Sequence, residues 1–121
     1  MKRTKLLLVA LFATLAVNLS AMDVKSDYWA YEMAKSKTEV MKENFNLTPN
    51  QITDIEKINL ISAQMQIEQL RLKKNICTTE ECNSKVKDML KAISNQQDAL
   101  IKLVLTKDQY EQYAIWSGYA I

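Results

Sequence analysis

Leu47-Thr48-Pro49-Asn50-Gln51-Ile52 is the stretch that decides the fold. Thr48 carries the hydroxyl of a helix N-cap, and Pro49 suits the first helical position, where its missing N–H leaves no bond unmade. Gln51 falls at N3, from which its side chain reaches back to the Thr48 backbone N–H. Leu47 before the cap and Ile52 at N4 are the pair of a hydrophobic staple. The same six-residue logic recurs at Leu105-Thr106-Lys107-Asp108-Gln109-Tyr110, with Thr106 as cap and Gln109 closing the box. Losing such a threonine costs about 1 kcal/mol. A third start lies at Thr78-Thr79-Glu80-Glu81, read with Thr78 as cap, Glu81 at N3, and Cys77 and Cys82 at the staple positions. These starts divide the chain into helices over 27–45, 50–76, 80–105 and 107–117.

Composition agrees. The 121 residues include one Gly, one Pro and no His. So little turn chemistry argues against an all-β fold. The missing histidines remove the commonest general base and most zinc sites, and a sole glycine at 118 excludes Gly-rich phosphate loops. The formal charge is +2, but residues 1–21 read as a secretory signal. Lys2, Arg3 and Lys5 precede an apolar run from Leu6 to Val17, and Leu19-Ser20-Ala21 offers a small residue for cleavage. The alternative, an uncleaved anchor, has a run that is short for a spanning helix. Without that segment 13 bases face 14 acids, a net of −1. The basic balance belongs to export, and nucleic acid is not expected as a partner.

In an exported chain Cys77 and Cys82 most simply form a disulfide, worth roughly 2 kcal/mol for so short a loop. A redox pair would favour two intervening residues rather than four, and zinc would need further Cys or His. Residues 50–76 carry two apolar stripes on opposite sides of the wheel. Ile58, Ile61, Met65, Leu72 and Ile76 form one; Ile52, Leu60, Ala63, Ile67 and Leu70 form the other. One strip between them holds Asn59, Ser62, Gln66, Gln69 and Lys73. Two stripes require contact from two directions: a second helix of the same chain, a subunit interface, or an apolar client surface. Residues 80–105 carry one stripe, through Val86, Met89, Leu90, Ile93, Leu100, Ile101 and Val104, interrupted by Gln97. Residues 27–45 present Trp29, Met33, Ala34, Val40, Met41 and Phe45 over a wide face. The aromatics cluster at the two ends of the chain, where they either pack together or form a binding rim.

Both boxes read Leu-Thr-x-x-Gln, and two copies 58 residues apart frame a helical hairpin. In this the chain resembles the LTxxQ-motif periplasmic family (Spy/CpxP-like), over most of residues 27–117. The resemblance implies an envelope-stress protein built as an antiparallel, cradle-shaped homodimer. It implies an ATP-independent chaperone that binds unfolded or misfolded envelope proteins, or a regulator that binds a sensor kinase's periplasmic domain. Such cradles are commonly basic on the concave face. Here Arg71, Lys73 and Lys74 precede the central turn, and Lys85, Lys87 and Lys91 follow it.

The reading is therefore an all-α, four-helix elongated hairpin over 22–121, exported to the periplasm, with no enzymatic activity, cofactor, metal or membrane insertion after signal cleavage. Leu47, Thr48, Gln51, Leu105, Thr106 and Gln109 are helix-capping residues. Ile52, Leu60, Ile67, Leu70, Arg71 and Lys74 are the candidate client or dimer surface, with Met33, Met41, Met65 and Met89 as adaptable side chains suited to it.

Overall fold

The computed structural model describes residues 24–119, with side chains described from 28 to 117. The expected signal segment, 1–21, lies outside the described residues. Four helices follow one another: α1 Val24–Phe45, α2 Pro49–Asn75, α3 Glu80–Val104 and α4 Lys107–Tyr119. The fold is all-α. α1 stops at Phe45 because Asn46 enters the left-handed region, at φ 52°. Asparagine tolerates that conformation better than any other non-glycine residue, and here it takes the place usually held by glycine.

α2 is the central helix, with α1 against one side and α3 against another. This accounts for its two stripes. Leu60, Ala63 and Ile67 pack on Ala30 and Ala34 of α1. Small alanines let the α1 and α2 backbones approach closely. The middle of the second stripe is thus covered from within the chain, and Leu60 and Ile67, expected on a client or dimer surface, belong to the α1–α2 contact. α1 also turns differently from its reading. Ala30, Ala34, Thr38, Met41 and Phe45 are buried, whereas Trp29 is 57 % exposed and Met33 44 %. Spacings of three and four from Phe45 and Met41 lead to Ala30, so the alanines, not the larger Trp29, take the inner face.

The main core lies at the end of the bundle where α1 meets α2 and α3 meets α4. Met41, Phe45, Ile55, Ile58, Ile101, Leu105 and Tyr113 form it, flanked by Leu47, Leu100, Val104, Tyr110 and Trp116. Each large apolar side chain buried there contributes roughly 1.5–3 kcal/mol. Phe45 meets Tyr113 and Trp116 edge-on at 6.0 and 5.9 Å between ring centroids. The aromatic ends therefore meet in part: Phe45 joins the α4 rings, while Tyr28, Trp29 and Tyr31 stay exposed at the far end of α1.

At that far end Cys77 and Cys82 form the disulfide, with Cα atoms 5.3 Å apart. The cap is one residue later than expected. Thr79, not Thr78, accepts from the Cys82 N–H, at 3.1 Å. N3 is accordingly Cys82 rather than Glu81, and the cysteines do not occupy staple positions. Glu80 and Glu81 stay in the first turn with either cap, where the helix dipole favours acids.

Candidate functional site

The two Leu-Thr-x-x-Gln units come together. Each first closes its own capping box. Thr48 Oγ1 accepts from the Gln51 N–H at 3.2 Å, and Gln51 Oε1 accepts from the Thr48 N–H at 2.9 Å. Thr106 and Gln109 repeat the exchange with the same distances, 3.2 and 2.9 Å. The amide nitrogens then cross over. Gln51 Nε2 donates to Gln109 Oε1 at 2.7 Å, and Gln109 Nε2 to Gln51 Oε1 at 3.1 Å. Each also donates to the carbonyls closing the helix before the other's cap. Gln51 Nε2 reaches Val104 O at 3.2 Å, and Gln109 Nε2 reaches Phe45 O and Asn46 O at 3.1 and 3.3 Å. Two helix starts and two helix ends, with exposed donors and acceptors of their own, are thereby joined by a pair of side chains. The α1–α2 and α3–α4 junctions are related by this approximate two-fold exchange.

Above that junction a polar chain crosses the interior. Asn59 of α2 is 1 % exposed. Its Nδ2 donates to Thr38 Oγ1 of α1 at 2.9 Å, and its Oδ1 accepts from Gln97 Nε2 of α3 at 2.9 Å. Thr38 Oγ1 donates onward to Ala34 O at 2.8 Å. Asn59 from the polar strip and Gln97, the interruption of the α3 stripe, are thus partners across the core. Ser62 and Gln64 are buried as well.

A second chain links α1, α3 and α4. Tyr113 donates to Asp98 Oδ1 at 2.6 Å and accepts from Lys37 Nζ at 3.2 Å. Lys37 Nζ also stands 5.6 Å from the centre of the Tyr113 ring. Burial raises the Tyr113 phenol far above its ordinary value, and the hydrogen bond and charge of Asp98 add to the shift. Burial lowers the Lys37 ammonium, against the pull of Asp98. A phenol whose folded pKa is raised contributes stability that is complete below about pH 10 and is lost as pH rises through the folded value. Lysine lowered by burial acts oppositely, its cost easing as pH climbs toward 10.5. The expected result at pH 11 is a phenol that stays protonated until the chain unfolds. Absorbance at 295 nm shows that phenolate appearing only with unfolding, and Tyr113→Phe removes the step; identical titrations of the two proteins would count against it.

Between α1 and α3, floored by α2, runs an open groove lined by Met33, Ala34, Lys37, Asn59, Ala63, Gln66, Ser94 and Gln97. The Asn59 and Gln97 amides in its wall are bonded to each other and Lys37 to Tyr113, so Met33, Gln66 and Ser94 are the lining side chains that make none of these bonds. Among the described residues no group of three or more His, Cys, Asp or Glu is placed to hold a metal.

The residues expected on a client or dimer surface are scattered. Ile52 is half-buried beside the junction, and Leu60 and Ile67 lie in the α1–α2 contact. Leu70 is 49 % exposed, Lys74 is exposed, and Arg71 reaches both Glu68 oxygens at 2.7 and 2.6 Å. Of the four methionines, Met41 is wholly buried, Met65 half-buried, and Met33 and Met89 exposed. No site role was expected for Lys37, Thr38, Asn59, Gln97 or Asp98. The break that Gln97 makes in the α3 stripe was the available signal.

Residues 21–113 match the model of a family described as a domain of unknown function (DUF4890), and the chain belongs to that family. Neither the comparison with curated proteins nor that with solved structures gave a match.

Proposed function

For this member of a family of unknown function, we propose, from the paired motif, an ATP-independent chaperone of the LTxxQ (Spy/CpxP-like) type, working in the periplasm on unfolded envelope proteins. The observation that carries this reading is the union of the two motifs. Leu-Thr-x-x-Gln is the paired signature of that type, and here both copies build one element, the crossed Gln51–Gln109 pair. The groove between α1 and α3 supports it, since the exposed Met33 thioether and the Gln66 amide on its rim suit weak, unselective contact with extended chain.

The expected result is suppressed aggregation of a chemically unfolded model protein at near-stoichiometric ratio without ATP. No suppression at any ratio would overturn the chaperone reading. Capture of a single sensor domain from membrane extracts, without effect on aggregation, would establish the regulator in its place.

A further inference from the structure

We propose that the disulfide-closed end of the α2–α3 hairpin is a peripheral docking surface for an anionic lipid bilayer. The proposal stands independently of the chaperone reading.

Charge is distributed unevenly along the molecule. Residues 71–91 hold six bases against three acids, whereas the rest of 22–121 holds seven against eleven. The near-neutral total therefore hides a basic end on an acidic body. Two of the six bases are engaged nearby, Arg71 with Glu68 and Lys85 with Glu81. Lys73, Lys74, Lys87 and Lys91 are exposed and make no ion pair among the described residues. Lys73 of α2 and Lys87 of α3 line one shallow hollow, with the acid Glu80 at its edge. The two helices thus contribute cations to one surface.

An exposed apolar side chain lies at the turn between these two helices. Ile76, the residue that ends α2, is 65 % exposed. The Cys77–Cys82 bond next to it limits how far the turn can open or collapse onto the side chain. On α3 of the same hairpin Met89 is 49 % exposed.

This combination fits a lipid surface better than a soluble polyanion. Lysines near an anionic headgroup layer gain attraction within a Debye length, while their long stems leave an apolar tip free to enter the interface. No described helix is long and apolar enough to cross a membrane, so the contact is one of surface attachment.

The test is co-sedimentation of the full chain with vesicles of mixed phosphatidylglycerol and phosphatidylcholine, against phosphatidylcholine alone. Binding is expected only to the anionic vesicles and to disappear at about 0.5 M salt, where screening is strong. Lys73→Glu with Lys87→Glu is expected to weaken binding by tenfold or more, and Ile76→Ser by several-fold. Lys57→Glu with Lys107→Glu, outside this end, is expected to leave it unchanged. Circular dichroism checks that helix content is retained. Should the double charge reversal unfold the chain, Lys74→Gln with Lys91→Gln carries the same expectation. Hairpin-end variants that bind like the parent would overturn the proposal and assign any binding to another part of the chain. Competition by heparin at equal charge, with Ile76→Ser without effect, would also overturn it in favour of a soluble polyanion.

Discussion

Gln109→Glu is expected to destabilise the folded protein by about 2 kcal/mol in urea unfolding at pH 7, although glutamate is the more usual and electrostatically better residue in a first helical turn. The substitution separates two roles that alanine would remove together. A carboxylate keeps the capping box, since it still accepts from the Thr106 N–H. It cannot donate to Phe45 O, Asn46 O or Gln51 Oε1, all of which receive the Gln109 amide. Instead it sets a negative charge against three oxygens. Those oxygens raise the introduced carboxyl's folded pKa above its unfolded value. Its cost is therefore present above the folded pKa and recedes as pH falls through it, because the protonated acid regains one donor. Gln51→Ala and Gln109→Ala are each expected to cost about 2–3 kcal/mol, with the double variant falling short of their sum by about 1–2 kcal/mol, since both remove the same crossed bonds. A neutral or stabilising Gln109→Glu would reduce the glutamines to local caps.

The capping boxes were legible in the sequence because they are made of neighbours. Thr48 and Thr106 cap, Gln51 and Gln109 close the boxes, and the hairpin follows from the short turn between α2 and α3. Their union was not legible locally, although a hint existed. A capping box uses only the amide oxygen of an N3 glutamine, and its two N–H donors need partners of their own. Two motifs that both choose Gln over Glu leave four such donors to place. On α1 the expected face holds for Ala34, Met41 and Phe45 and fails at Trp29 and Met33, because the close approach to Ala63 puts Ala30 on the inner side instead. At Thr78-Thr79 two equivalent residues compete for one cap, and the choice between them depends on the geometry of the neighbouring disulfide and first turn. The two stripes of α2 correctly implied contact from two directions, but a wheel shows only that a partner exists, and α1 is that partner. The same wheel placed Asn59 on a polar strip, because periodicity sorts residues by polarity and cannot see that a strip between two stripes is enclosed when both flanks are covered.

That enclosed residue gives the other large effect. Asn59→Leu is expected to cost about 3 kcal/mol, because it strands buried groups on two neighbouring helices. Thr38 loses the donor that satisfies its oxygen but keeps its own bond to Ala34 O. Gln97 Nε2 loses the Asn59 oxygen it donates to, in a residue only 6 % exposed. Gln97→Leu alone leaves the Asn59 oxygen unpaired and is expected to cost about 2 kcal/mol by the same reasoning. The double variant Asn59→Leu/Gln97→Leu is then expected to recover at least half of the summed loss, since both ends of the buried bond become apolar together. Equilibrium unfolding of the four proteins closes this cycle. Additive losses would mean that Asn59 and Gln97 are stabilised separately, and that the chain of bonds across α1, α2 and α3 contributes nothing as a unit. A double variant at least as stable as the parent would show further that the polar pair is retained for something other than stability. Its position on the wall and floor of the α1–α3 groove makes the aggregation assay the direct comparison. A more stable Leu/Leu protein with weaker suppression would connect the buried pair to the groove's use.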